Sequence, residues 1–203
     1  MSPRSLPPAT LAGIYSELAG CFGAPLDADD VHDLRRHGAF GPLQALAADP
    51  LYAADLRRAL DAVLAADPEE ATSLLNRSYC QLFLGVGGAT GAPPYESAYR
   101  DAGVLFQGPA AAMAELLAAC GLEPAEGFVE PPDHIAIELS LLAQLTRTGA
   151  PDGEAAAALR ARLTEWVPAF ARSCARFDRS GFYAPLAAVL ANLLDDGAQA
   201  LAA

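Results

Sequence analysis

Val, Ile and Thr together number 16 in 203 residues and never form a run. That constrains the fold more than anything else in the chain, because strands are built from runs of such β-branched side chains on a pleated surface. Ala (46) and Leu (30), both strong helix formers, dominate instead. The expected fold is all-α: one bundle-like helical domain across 1–203, long enough to bury a sizeable core.

The apolar spacing supports this element by element. Leu11, Ile14, Tyr15, Leu18 and Phe22 recur at helical intervals, with Gly23 near the stop. Asp29 or Asp30 is placed to cap a short helix through Arg36, and Pro50 starts another carrying Leu51, Leu56, Leu60, Val63 and Leu64. Asp67-Pro68-Glu69-Glu70 combines a capping acid, a proline suited to the first turn and a box-like glutamate. The helix after it points Leu74, Leu75, Ser78 and Leu82 inward, with Tyr79 and Phe83 flanking the stripe. Gly85 to Ser97 is a long break rich in Gly and Pro, of a length often used for function. A helix from about Pro109 to Cys120 and a loop from Leu122 to Glu130 follow. Pro131-Pro132-Asp133 then opens the most apolar helix. Ile135, Ile137, Leu139, Leu141, Leu142 and Leu145 surround its axis, which predicts a central position. Gly149 to Gly153 is a candidate hinge between an N-terminal part (about 6–148) and C-terminal helices (about 154–197). Those helices are expected over Glu154–Phe177, interrupted at Pro168, and Phe182–Leu194.

Several function classes fall away. A net charge of −12 argues against nucleic acid and would steer a cationic partner toward the protein. The chain has thirteen Arg and no Lys, so no Schiff-base or phosphate-loop lysine exists. The Gly85–Gly91 run follows a helix, not a strand, and lacks phosphate-loop spacing. Cys21, Cys80, Cys120 and Cys174 are scattered, which fits small buried residues in a reducing compartment better than a metal site or a disulfide framework. Ser97 lacks nucleophile-elbow surroundings and Cys80 lies in a helix interior. No stretch reaches the apolar length of a membrane span, no targeting segment is visible, and Arg35-Arg36 reads as a solvated helix face. A cytoplasmic protein is expected.

Two segments gather the remaining chemistry: Pro93-Pro94-Tyr95-Glu96-Ser97-x-Tyr99, led by Tyr79-x-x-Leu82-Phe83, and Glu130-Pro131-Pro132-Asp133-His134-Ile135-x-x-Glu138. Tyr79, Leu82, Phe83, Pro94, Tyr95 and Tyr99 could wall a groove for an apolar peptide helix, with Ser97 among them. Glu96, Glu130, Asp133 and Glu138 could pair with arginines on that peptide. An alternative is a metal-dependent helical hydrolase using Glu130, His134 and Glu138, although a transition metal usually wants a second His or Cys. Asp133 is the expected cap of the following helix. An inert helical adaptor is a third reading.

In this order and at these distances the segments resemble the TorD/DmsD family, cytoplasmic chaperones dedicated to molybdoenzymes and related more distantly to NarJ. The likeness runs from about Leu11 to Leu194, and Phe182-Tyr183-x-x-Leu186-Ala187 fits the family's last helix. The resemblance implies an all-helical fold without catalytic turnover or a cofactor of its own. It implies partners as well: the twin-arginine signal peptide and the apo form of a molybdopterin-dependent reductase of the DMSO/TMAO class. The chaperone would hold this client until its cofactor is inserted and delay its export. A NarJ-like role toward a nitrate reductase that is not exported is the nearest variant. By matched position Tyr79, Leu82, Phe83, Pro94, Tyr95, Asp133 and His134 would form the peptide site. The family often has Trp where Tyr79 and Tyr95 stand; Tyr keeps an aromatic face but a smaller one. Gln107 intervenes before Gly108, where the family tends to have Gly. Protonation of His134 would weaken attraction for a cationic peptide. Either a monomer or a homodimer is expected, and the hinge would permit exchange of the last helices.

Overall fold

A computed structural model describes residues 6–38, 40–86, 90–100, 108–123, 129–148 and 153–201, with side chains described as far as 196. Eight α-helices are described: α1 (Pro8–Gly23), α2 (Ala28–His37), α3 (Pro50–Leu64), α4 (Pro68–Phe83), α5 (Gly108–Ala119), α6 (Ile135–Arg147), α7 (Glu154–Phe177) and α8 (Tyr183–Leu201). Short 3-10 turns lie at Pro42–Leu46 and Glu96–Ala98. Among the described residues the only extended pairing is an isolated bridge, Tyr95 with His134.

The helix starts follow local chemistry. Asp49 and Asp67 cap α3 and α4, each followed by proline, and Asp67 accepts the Glu70 N–H at 3.0 Å. In α2 the cap is Asp27, ahead of the expected Asp29 or Asp30. Asp30 stands at the third helical position and returns the bond, so Asp27 and Asp30 satisfy each other's N–H reciprocally. Pro168 does not interrupt α7. The helix continues through it because Trp166, Val167 and Phe170 on either side are buried in the core, and packing outweighs the missing N–H. Asp178 joins α7 to α8: its carboxylate accepts N–H groups from Ser180 at 2.8 Å and Ala184 at 2.9 Å. The expected hinge at Gly149–Gly153 lies outside the described residues except for Gly153, which caps α7.

One buried apolar cluster draws on every helix, from Leu6 to Leu194. α6 packs along α1, with α7 against another side, but Ser140 is exposed, so the all-round burial expected of this helix is incomplete. The last helix lies on α7, α3 and α1. The break after α4 folds back on that helix: the Ala92 N–H bonds to Leu82 O at 2.7 Å, satisfying a carbonyl of its last turn. Gly91 permits this approach, since a Cβ there would lie 2.9 Å from Leu82 O, a backbone atom that cannot swing aside. Gly91→Ala is therefore expected to destabilise the fold by roughly 1–3 kcal/mol, seen as a lower urea midpoint. An unchanged midpoint would mean that the return of the loop tolerates displacement.

Candidate functional site

The two motif segments lie against each other. Tyr95 is extended and pairs antiparallel with His134, so that the Ile135 N–H bonds to Pro94 O at 2.8 Å and the Glu96 N–H to Asp133 O at 3.0 Å. The buried Asp133 carboxylate accepts the Ser97 N–H at 3.0 Å. The Tyr95 ring meets the His134 imidazole edge to face at 5.1 Å, and its hydroxyl donates to Glu130 at 2.6 Å. Asp133 is thus not the cap of α6. That role falls to His134, whose Nδ1 accepts the Ala136 N–H at 3.1 Å, leaving Asp133 to hold the opposite segment. Such a bond requires an unprotonated Nδ1. Burial accordingly lowers the His134 pKa to about 4, against the opposing pull of Glu130 and Asp133. A neutral-pH switch at His134 does not follow from this environment.

Behind this clasp is a buried ionic network. Glu96 is fully buried and accepts from Arg100 at 2.6 Å and from Arg162, which also bonds Pro109 O at 3.1 Å. Arg100 reaches on to Glu165 at 2.8 Å. Glu138, also fully buried, accepts the Trp166 indole N–H at 3.2 Å and lies 4.0 Å from Arg162. Burial, with Glu96 adding to it, pushes the Glu138 carboxyl well above the usual carboxylate range. Glu96 and Glu138 were expected to meet a ligand's arginines. They are instead interior acids turned toward the protein's own arginines.

Tyr79, Leu82 and Phe83 are likewise core residues, 3%, 1% and 3% exposed, and do not wall an open groove. Phe83 makes edge contacts with Phe22, Tyr79 and Tyr183 at 6.1, 5.1 and 5.1 Å, and the Tyr79 hydroxyl donates to Phe22 O at 3.2 Å. These rings fasten α4 to α1 and α8. Tyr99, half-buried, stacks on Trp166 at 5.7 Å. Of the twelve expected site residues, Tyr95, Tyr99 and Glu130 are half-buried, Tyr95 and Glu130 at the mouth of the clasp near the exposed Val129; Pro94 and Ser97 are buried in it. The hydrolase alternative fails on geometry. The His134 Nδ1 caps a helix, Glu138 faces Trp166 and Arg162, and no group of three His, Cys, Asp or Glu among the described residues is placed to hold a metal.

Open space lies on the other side of α6, where the sequence motifs do not point. A trough of about 590 Å³ runs between α1, the end of α5 and α6. Ala19, Gly20 and Gly23 of α1 line it, facing Ile137, Ser140 and Leu141 of α6. It reaches Ala136, the first turn of α6, directly after the His134 cap. A second hollow of about 510 Å³ lies between α1 and α2, with Leu26, Leu34 and Phe40 in its floor and Glu17, Asp30 and Asp33 on its walls. Both hollows are bounded by Gly20 and Ala24. The signal was present in the chain: Ser16, Ala19, Gly20 and Gly23 make one face of the first helix small, and Ala24 follows its end.

Known proteins place this chain. Residues 48–172, more than half of it, match the model of the family described as nitrate reductase delta subunit. A protein from Vibrio cholerae serotype O1 named chaperone protein TorD is 32% identical over 187 residues, covering 87% of this chain and 84% of its own. Proteins of the same name from Aliivibrio fischeri (32% identical, 90% of each chain) and Ferrimonas balearica (35% identical, 88% and 84%) are similar. The fold matches that of a crystal structure from Archaeoglobus fulgidus described as a redox enzyme maturation protein, with a TM-score of 0.57 over 90% of this chain and 93% of that one, at 20% identity.

Proposed function

This chain belongs to the TorD and nitrate reductase delta family, a family of maturation chaperones rather than catalysts, and we propose that it serves a molybdopterin-dependent reductase by binding that client's twin-arginine leader. It would act in the cytoplasm, holding the apoenzyme until cofactor insertion and delaying export. The observation that carries this reading is the clasp: the two motif segments are bonded through backbone and side chain, with an aromatic ring and a carboxylate left at its mouth. Tyr95 and Glu130 are the proposed contacts there. Asp133 and His134 act as positioning groups, the one holding the Tyr95 segment and the other fixing the start of α6. Apolar burial along the leader would contribute about 25 cal/mol per Å² before ordering costs, and a chain of net charge −12 would attract its arginines.

Calorimetry with a synthetic twin-arginine leader tests this. Tyr95→Ala is expected to weaken binding roughly tenfold with little loss of stability. Asp133→Ala is expected to lose both affinity and stability, because the Ser97 N–H is left buried without its acceptor. Wild-type affinity in both variants removes the clasp from the site. The delta-subunit match favours a second client class, a nitrate reductase that is not exported. Preference for that enzyme's N-terminal peptide over a twin-arginine leader would establish it.

A further inference from the structure

The trough and the acidic hollow are neighbours: Gly20 of α1 and Ala24, just past its end, border both. They differ in chemistry. The trough wall is mainly Ala, Gly, Leu and Ile, with Glu123 as its one acid, whereas the hollow carries Glu17, Asp30 and Asp33, with His37 beside them. Glu17 is held by N–H groups of Gly41 and Leu43 at 2.9 and 2.8 Å, and Asp30 by the Asp27 N–H at 3.0 Å. Those bonds orient the carboxylates without cancelling their charge. Asp33 is exposed, with Arg36 3.8 Å away. Volumes of this size lie within the range of ligand-binding clefts, about 300–1,000 Å³.

We propose that the two hollows form one seat for a segment that is basic at one end and apolar at the other, its arginines at the α1–α2 acids and its apolar residues in the α1–α5–α6 trough. This rests on the leader-binding reading and adds a second contact region, beyond the Tyr95–Glu130 mouth, for the leader's arginines and apolar stretch. Charge complementarity selects this occupant. A second copy of this acidic chain would bring further negative charge to the α1–α2 walls, whereas a basic-then-apolar peptide matches both halves in sequence. Gly20 is the junction. A Cβ at this position meets nothing within 4 Å, so the small residue serves no packing need within the chain and keeps the passage open.

Gly20→Gln tests the seat, since glutamine is a good helix former and its neutral side chain would project into the passage. Binding of a labelled twin-arginine leader is expected to weaken roughly tenfold or more, with the urea midpoint held or raised. Asp33→Asn is expected to weaken it a few-fold at low salt, and to have no effect on a leader whose two arginines are replaced by glutamine. If the wild-type protein binds the leader and Gly20→Gln binds it equally, the seat is elsewhere while the chaperone reading stands. If the wild-type protein binds no leader, the chaperone reading fails first and this assignment with it. Sedimentation showing a dimer that Gly20→Gln dissociates would give the seat to a second copy and overturn the proposal.

Discussion

Arg162→Met is expected to lower folding stability by about 3 kcal/mol. The guanidinium stands between two fully buried carboxylates and bonds the Pro109 carbonyl as well. Removing it strands charge where water cannot follow. The loss is held near the lower end of the usual range by two features: Arg100 still pairs with Glu96, and Glu138 can take up a proton. Glu138→Gln then serves as the diagnostic partner. An acid whose folded pKa is raised gives its full stability below the ordinary carboxylate pKa, and loses it as pH rises through the raised value. Glu138→Gln should therefore flatten the decline of stability toward alkaline pH and recover part of the loss in Arg162→Met. Urea unfolding of the four proteins across pH reads both effects. A wild-type midpoint for Arg162→Met would mean that the network contributes nothing to the fold.

Acidification should act on His134. Its folded pKa of about 4 lies below the ordinary 6.5, so the unfolded chain binds the proton more readily. The stability due to the neutral ring is complete above pH 6.5 and falls as pH drops through the window to 4, by about 3 kcal/mol in all. His134→Asn isolates this contribution. Asparagine is a good N-cap and can accept the Ala136 N–H, but it does not titrate. The wild-type protein should lose stability between pH 6.5 and 4 more steeply than the variant. Parallel profiles would show that the imidazole is solvated rather than enclosed by Tyr95 and the α6 turn.

What the chain disclosed was mostly local. Asp67-Pro68-Glu69-Glu70 announces a helix start because donor, acceptor and fixed φ lie within four residues. The apolar pattern of α6 announced a largely buried helix, but not the open trough along its Ile137–Ser140 side. Association of the two motif segments could be anticipated from the resemblance, but the inward turn of their acids could not. Glu96 meets Arg162 across 66 positions, and nothing near either residue signals the pairing. Without its partners a buried glutamate and a ligand-facing one look identical in sequence. Tyr79 and Phe83 carried a similar ambiguity. Flanking an apolar stripe is compatible with either a groove wall or a core, and the rings of Phe22, Phe170 and Tyr183 decide for the core. The trough was hardest to see because it is made by what side chains lack: at Ser16, Ala19, Gly20, Gly23 and Ala24 smallness creates the space.

The antiparallel bridge between Tyr95 and His134 also divides labour across the surface. Asp133 and His134, whose side chains tie the two segments and the start of α6 together, are answerable to the fold, so a change in either is felt first as a loss of stability. Positions such as Gly20 and Ser140 owe nothing to that arrangement. Adaptation to a new client can therefore proceed by altering the trough lining, while the clasp stays as the common frame from which different specificities are hung.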